Sequence, residues 1–176
     1  MDRSVLVNIG VQRFDRLREQ KAFYIDKTSF IKEWWESGSD VTLITRPRRF
    51  GKTLNMSMIE CFFSNKYAGR SDLFEGLSIW DDEKYRQLQG TYPVIFLSFA
   101  NIKAGKYDKM EYKITEIIAA LYAQNAYLLE GNLLNENEKE YYKSIKAGIG
   151  DEVAAGTIHA MADFMKRYYG RDVIII

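Results

Sequence analysis

Three short apolar runs limit what this chain can fold into: Val41-Thr42-Leu43-Ile44-Thr45, Val94-Ile95-Phe96-Leu97-Ser98-Phe99 and Val173-Ile174-Ile175-Ile176. Gly38-Ser39-Asp40 and Pro47 bound the first run, and Pro93 introduces the second. Runs this short, rich in β-branched residues and set between turn formers, read as strands buried in a sheet. Helical patterns separate them. Strands that alternate with helices are joined by crossovers, so the expected class is α/β, a parallel sheet flanked by helices.

The first helix is expected to start at Asp26, whose carboxylate can accept from the free N–H groups of a first turn. Ile25 and Phe30 have hydrophobic-staple spacing around it. Phe30, Ile31, Trp34 and Trp35 supply an apolar face, and Gly38 is placed to end the helix. A second helix opens near Lys52. There Leu54, Met58 and Phe62 recur every four residues with Ile59 and Phe63 beside them, so burial over much of its girth is expected.

Residues 65–90 read as irregular, with a short amphipathic helix at 84–89. After the second strand, Met110, Ile114, Ile117, Ile118 and Leu121 form a helical stripe. Asn135 and Glu138 have capping-box spacing before Tyr141, Tyr142 and Ile145. Ile158, Met161, Ala162, Met165 and Tyr168 share one face of a last helix that ends at Gly170.

Composition narrows the function classes. A chain of 176 residues, 47% hydrophobic, can bury a core and is expected to be one domain, residues 1–176. Its 25 basic and 24 acidic residues leave a net charge of +1, which argues against wholesale binding of a polyanion. Cys61 and His159 are single, which excludes a disulfide scaffold, a Cys/His zinc site and a triad with a choice of histidines. No apolar run approaches the ~18 residues that span a bilayer. Met1-Asp2-Arg3-Ser4 lacks the apolar core of a signal peptide, so the expected compartment is cytoplasmic.

The chemistry-bearing segment lies between the first strand and the helix at Lys52: Arg46-Pro47-Arg48-Arg49-Phe50-Gly51-Lys52-Thr53, followed by Leu54. Gly-Lys-Thr is the core of the phosphate-binding P-loop, or Walker A motif. Gly51 lets backbone approach a phosphate with no Cβ in the way. The N–H groups opening the helix point at that phosphate, and the helix dipole favours its charge. Lys52 can reach β- and γ-phosphates, and the Thr53 hydroxyl is the expected Mg²⁺ ligand. Arg46, Arg48 and Arg49 add the densest positive charge in the chain, read as a clamp on phosphate. Arg46 stands where the usual motif has its first glycine. An ordinary basic strand-to-helix turn is the bland alternative.

Residues 8–63 resemble the predicted AAA-ATPase-like family of bacterial proteins. The resemblance is carried by Asn8-Ile9-Gly10-Val11-Gln12-Arg13-Phe14, by Tyr24-Ile25-Asp26-Lys27-Thr28 and by Thr45-Arg46-Pro47-Arg48-Arg49-Phe50-Gly51-Lys52-Thr53. Members of that family also lack the first glycine. Looser agreement runs through Asp72-Leu73-Phe74, Pro93-Val94-Ile95 and the final strand. The resemblance implies an additional-strand P-loop NTPase fold and ATP with Mg²⁺ as cofactors. It also implies a DNA or protein partner engaged through regions beyond this chain, where many members carry a nuclease-like region, and it leaves an oligomer open.

In such proteins the second nucleotide motif, Walker B, is an apolar strand followed at once by acids that hold Mg²⁺ and orient water. Val173–Ile176 resembles that strand, and no acid follows it. The expectation is therefore the N-terminal part of an ATPase module, incomplete at the C-terminus, that binds ATP with little turnover. Asp172, at the strand's opposite end, cannot substitute. In the family's sheet order, 41–45 would be strand 1, 94–99 strand 2 and 173–176 strand 3. Strands 2 and 3 should pair in parallel, with 41–45 unpaired or held by N-terminal segments.

Weaker signals have simpler readings beside them. Asp26-Lys27-Thr28, part of the family resemblance, could lie near the nucleotide base or ribose, with Lys27 as a phosphate contact the remotest reading, yet helix capping explains it locally. His159 has no second ligand, Cys61 reads as core, and Tyr141, Tyr142, Tyr168 and Tyr169 read as core or partner surface rather than base-stacking groups. The rival to ATP binding is a nucleic-acid or protein binding module with a vestigial P-loop. A small-metabolite kinase is disfavoured because such enzymes keep the first glycine.

Overall fold

The computed structural model describes residues 10–47, 50–100, 102, 105–150, 154 and 156–176. Arg48 and Arg49 lie outside the described residues, as do Met1–Ser4 and the Asn8-Ile9 pair. The chain divides into two compact units between Val94 and Ile95.

The first unit holds helices α1 (Phe14–Glu19), α2 (Ser29–Glu36), α3 (Lys52–Phe63) and α4 (Glu83–Leu88). Between α3 and α4 the chain makes 3₁₀ turns at Asn65–Tyr67, Ser71–Leu73 and Ser78–Asp81. Its core is aromatic. Phe62 meets Phe63 and Phe74 edge-on at 5.0 and 5.1 Å, Phe14 stacks on Phe74 at 5.2 Å, and Trp35 of α2 stacks on Phe63 at 5.2 Å. Offset and edge-to-face contacts of this kind add to the area the rings bury. From Ser57 to Phe63 every residue of α3 is buried, as the four-residue recurrence of apolar side chains predicts.

The chain leaves α3 and is tied back to its end by backbone bonds. Asn65 N–H donates to the Tyr92 carbonyl, Tyr92 N–H to Phe63 and Gly90 N–H to Phe62. Gly90 adopts φ +70°, and a Cβ there would stand 2.7 Å from the Ala68 Cα. Only glycine fits that crossing.

In the second unit, α5 (Tyr107–Gln124), α6 (Glu136–Ser144) and α7 (Thr157–Tyr169) surround a core of Ile118, Leu121, Leu128, Met161 and Phe164. The tyrosine hydroxyls inside it are satisfied. Tyr142 donates to the Tyr122 carbonyl at 2.7 Å, and Tyr122 to the Thr157 carbonyl at 2.8 Å. Both bonds of the expected capping box are present, from Glu138 N–H to Asn135 Oδ1 and from Asn135 N–H to Glu138 Oε2. Strands β1 (Val94–Ile95) and β2 (Ile174–Ile175) form a two-stranded sheet. Ile176 N–H donates to the Ile95 carbonyl and Leu97 N–H to the Ile176 carbonyl, which is the parallel pattern expected for these two runs. The described fold is α/β, mixed helix with a small parallel sheet.

Three expectations need correction. Residues 41–45 do not form a buried strand. Val41 and Leu43 are 87% and 83% exposed, and no backbone bond of this segment joins it to another strand among the described residues. β-branched residues favour extended backbone, but a strand exists only where a neighbour accepts its ladder. The run at 94–99 is laddered over its start only, and Phe99 is exposed. Helix α2 begins at Ser29 with Thr28 as its N-cap, and Ile25 is exposed rather than stapled to Phe30. The Asp26 carboxylate is engaged elsewhere, with Ser78, and that turns the chain away from staple geometry.

One buried charge strains the first unit. Glu60 of α3 has an oxygen, Oε2, without a hydrogen bond, and its nearest cation, Arg13 Nη1, is 3.9 Å away. Burial pushes its carboxyl up, outweighing the attraction of Arg13. A carboxyl raised in the folded state favours folding below its unfolded value, ~4.3, and loses that contribution as pH rises through the folded value.

Two outcomes follow. Gly90→Ala combines left-handed strain with a backbone collision, so urea unfolding should show a loss of about 3 kcal/mol. Glu60→Gln should raise the melting temperature by about 2–4 °C at neutral pH, equivalent to roughly 1 kcal/mol. That gain should vanish near the unfolded carboxyl pKa of ~4.3, and a lower melting temperature at pH ~7 would show the charge to be stabilising.

Candidate functional site

A cavity of about 380 Å³ opens in the first unit where the 46–53 loop meets the start of α2. Three cationic residues line it: Arg46, Lys52 and Lys27. Phe30, Ile44 and Phe50 give it apolar walls, and Asp26, Glu33 and Asn55 add polar groups. This size lies at the lower end of the range for small-molecule sites.

The loop has the geometry that an anion requires of backbone. Gly51 is the N-cap of α3 and sits at φ +75°, ψ +17°, a conformation that costs a non-glycine residue roughly 1–2 kcal/mol. Gly51 has no side chain to cap the helix, and among the described residues no side-chain acceptor is bonded to the N–H groups of its first turn. A left-handed residue leading into right-handed helix makes a concavity of N–H groups that suits an anion. Lys52, the first helical residue, folds back over the loop. Its Nζ donates to the Arg46 carbonyl and, at 3.4 Å, to the Pro47 carbonyl. The ammonium is thus held by two carbonyl oxygens of the preceding segment.

A pinned turn before α2 also lines the cavity. Asp26 Oδ1 accepts from Thr28 N–H at 2.9 Å and from the Thr28 hydroxyl at 2.7 Å, while Oδ2 accepts from Ser78 N–H at 2.7 Å. Thr28 is fully buried, and its hydroxyl oxygen accepts from Ile79 N–H at 3.1 Å. Partial burial opposes ionisation of Asp26. The N–H groups of Ser78 and Thr28 and the Thr28 hydroxyl outweigh it and hold the carboxyl below its usual range.

Of the residues singled out in the sequence, the structure brings Arg46, Phe50 and Lys52 to the cavity. Pro47 is exposed, with its carbonyl beside Lys52. Thr53 is exposed and Leu54 half-buried on the first turn of α3, and neither lines the cavity. Asp26 and Lys27, which the sequence reading left as remote nucleotide neighbours, also line it, while Phe30, Glu33 and Asn55 come from positions that motif reading did not assign to the pocket. Helical spacing was the available signal, since Asn55 is three residues beyond Lys52, and Glu33 three beyond Phe30, on single helix faces.

Other candidates fall away. Cys61 is fully buried and burial pushes its thiol up to about 12, which makes it core. His159 is exposed, and no cluster of three metal-binding side chains exists among the described residues. Tyr142 is buried, while Tyr168 and Tyr169 pack against Tyr127 at 5.1 and 6.4 Å.

With this geometry in place, comparison with known proteins decides the kinship. The family described as "Predicted AAA-ATPase" matches residues 8–176. The chain belongs to that family. The "Uncharacterized protein in vnfD 5'region" of Azotobacter chroococcum mcd 1 is 33% identical over 111 residues, which is 62% of this chain. The matched stretch spans only 20% of that curated relative's length. No solved structure matches the chain. In this predicted AAA-ATPase no described helix is long and apolar enough to cross a membrane.

Asp26→Ala would leave the Ser78 and Thr28 N–H groups without their acceptor. The expected loss is about 1 kcal/mol, at the low end for bonds to a carboxylate because water reaches the group. Its folded-state carboxyl is depressed, so this contribution is present above the unfolded value and is lost as pH falls through the folded one. The melting-temperature gap between wild type and Asp26→Ala should therefore close as the pH is taken from ~7 towards ~2. A gap independent of pH would mean that the carboxylate charge is not what pins the turn.

Proposed function

We propose that this chain is a nucleoside-triphosphate binding module, taking ATP with Mg²⁺ in the cavity beside the 46–53 loop, within a P-loop NTPase fold. The observation that carries this reading is Gly51 in left-handed conformation capping α3, with Lys52 in its first turn facing a cavity lined by further cations. The first-turn N–H groups and Lys52 would hold the β- and γ-phosphates, with Arg46 and the adjoining Arg48 and Arg49 as added positive charge. Pro47, Phe50 and Leu54 shape the loop and the first turn around them.

The residues present suit Mg²⁺ bound in the way nucleotide sites bind it. That ion keeps most of its waters and takes substrate phosphate oxygens with one or two protein oxygens, so no cage of acids is needed. Thr53, exposed on the first turn of α3 beside Lys52 and outside the cavity lining itself, would supply the hydroxyl ligand at the cavity's rim. Bound Mg²⁺ would neutralise phosphate charge.

The two units would then be parts of one nucleotide-binding domain, with β1 and β2 as neighbouring strands of its parallel sheet. Family membership supports ATP over the rival reading, a vestigial loop that docks nucleic acid or protein. A DNA or protein partner for the longer family proteins, self-association and a cytoplasmic setting remain part of the proposal for the whole protein.

Thermal melting tests the reading. Mg-ATP at a hundredfold over its Kd should stabilise the chain by about 2.7 kcal/mol. Lys52→Ala should lose most of that shift with little change in the ligand-free protein. An equal shift in both proteins would place binding elsewhere. Duplex DNA binding that falls steeply with salt, without an ATP effect, would favour the rival.

A further inference from the structure

The cavity has one cation that no phosphate-loop argument uses. Lys27 lines it from the turn before α2, a different element from the one that carries Lys52. The turn is held on both sides of Lys27. Asp26 is tied to Thr28 and Ser78, and Thr28 is buried with its hydroxyl bonded to Ile79 N–H. The Lys27 carbonyl also accepts from Phe30 N–H at 3.1 Å, which joins the turn to α2. Backbone position at Lys27 is thus fixed by at least four hydrogen bonds around it.

The side chain itself is uncommitted. Among the described residues no carboxylate lies within ion-pair distance of the Lys27 ammonium, and it donates no side-chain hydrogen bond. Its neighbour Asp26 is unavailable because both oxygens are taken. Elsewhere this chain pairs many of its cations: Arg13 with Asp15, Arg70 with Glu19 and Asp72, Arg167 with Glu138 and Asp163. Three cations around a cavity of about 380 Å³ repel one another, which an anion between them reverses.

We propose that Lys27 is a second phosphate-binding lysine of this cavity, presented by the pinned Asp26–Thr28 turn, so that the nucleotide's phosphates are held between Lys27 and Lys52. This rests on the nucleotide reading above and adds a residue to it. The two lysines come from different elements, so phosphate binding also ties the turn before α2 to the start of α3. The apolar walls at Phe30, Ile44 and Phe50 are left for the nucleoside.

Titration calorimetry on the whole chain tests this with Mg-ATP, Mg-ADP and adenosine as probes. Lys27→Gln should weaken Mg-ATP about tenfold, as loss of a charge-assisted phosphate contact does, and leave adenosine within about twofold. Lys27→Arg keeps the charge and should stay within about threefold for Mg-ATP. The side chain is exposed, so melting of the ligand-free variants should match wild type. Unchanged Mg-ATP affinity in Lys27→Gln, with binding still lost in Lys52→Ala, would overturn the Lys27 assignment alone. Equal weakening of Mg-ATP and adenosine would overturn it too, by placing Lys27 at the nucleoside. Wild-type protein that binds no nucleotide would overturn the underlying reading and this proposal together.

Discussion

Burial of one half of α3 is the constraint on which the first unit depends. Residues 57–63 have no exposed side, because aromatic rings from α2 and from the segments after α3 close around Phe62 and Phe63. A helix held on all sides cannot rotate or slide without breaking that packing, since close-packed interiors respond to small displacements. Its other end is free of such contact, and there Gly51 and Lys52 begin the helix at the cavity rim. The core thereby fixes where the first-turn N–H groups point. The geometry at the cavity rim is inherited from packing further along the helix.

The same helix shows what was legible in the sequence. Leu54, Met58 and Phe62 at four-residue spacing, next to Gly-Lys-Thr, located both the buried face and the start of α3. The Asn135–Glu138 cap and the end of α7 at Gly170 were legible for the same reason, since their signals are local. Parallel pairing of the second and third apolar runs was also within reach, through the sheet order that the family resemblance implies. Non-local matters were not. The sheet order left 41–45 without its neighbours, but the exposure of Val41 and Leu43 was not foreseen, and Asp26 could not announce Ser78, 52 residues away, as the group that would take its carboxylate.

That misreading of Asp26 has a physical lesson. A carboxylate before a helix serves the first-turn N–H groups when nothing better competes. Here it binds the start of a distant 3₁₀ turn as well as Thr28, so the residue acts as a tertiary clamp rather than a helix cap. The helix then starts at Ser29, and the hydrophobic staple is lost along with the entry angle it would have set. Lys27 is carried to the cavity by the same displacement.

Charge placement argues for a compact ligand over an extended polyanion. With a net charge of +1 and many surface cations neutralised by neighbouring acids, little unbalanced positive field is spread over the chain. A duplex is held by phosphate contacts distributed over many ångströms, each releasing counterions, and needs a basic stripe. Lys27, Arg46 and Lys52 instead converge on one cavity, and none of them is within ion-pair distance of an acid among the described residues. Several negative charges within a few ångströms, followed by an apolar group, are what such a site matches. On the reading proposed above that ligand is a nucleoside triphosphate, whose nucleoside would meet Phe30, Ile44 and Phe50 of the same lining.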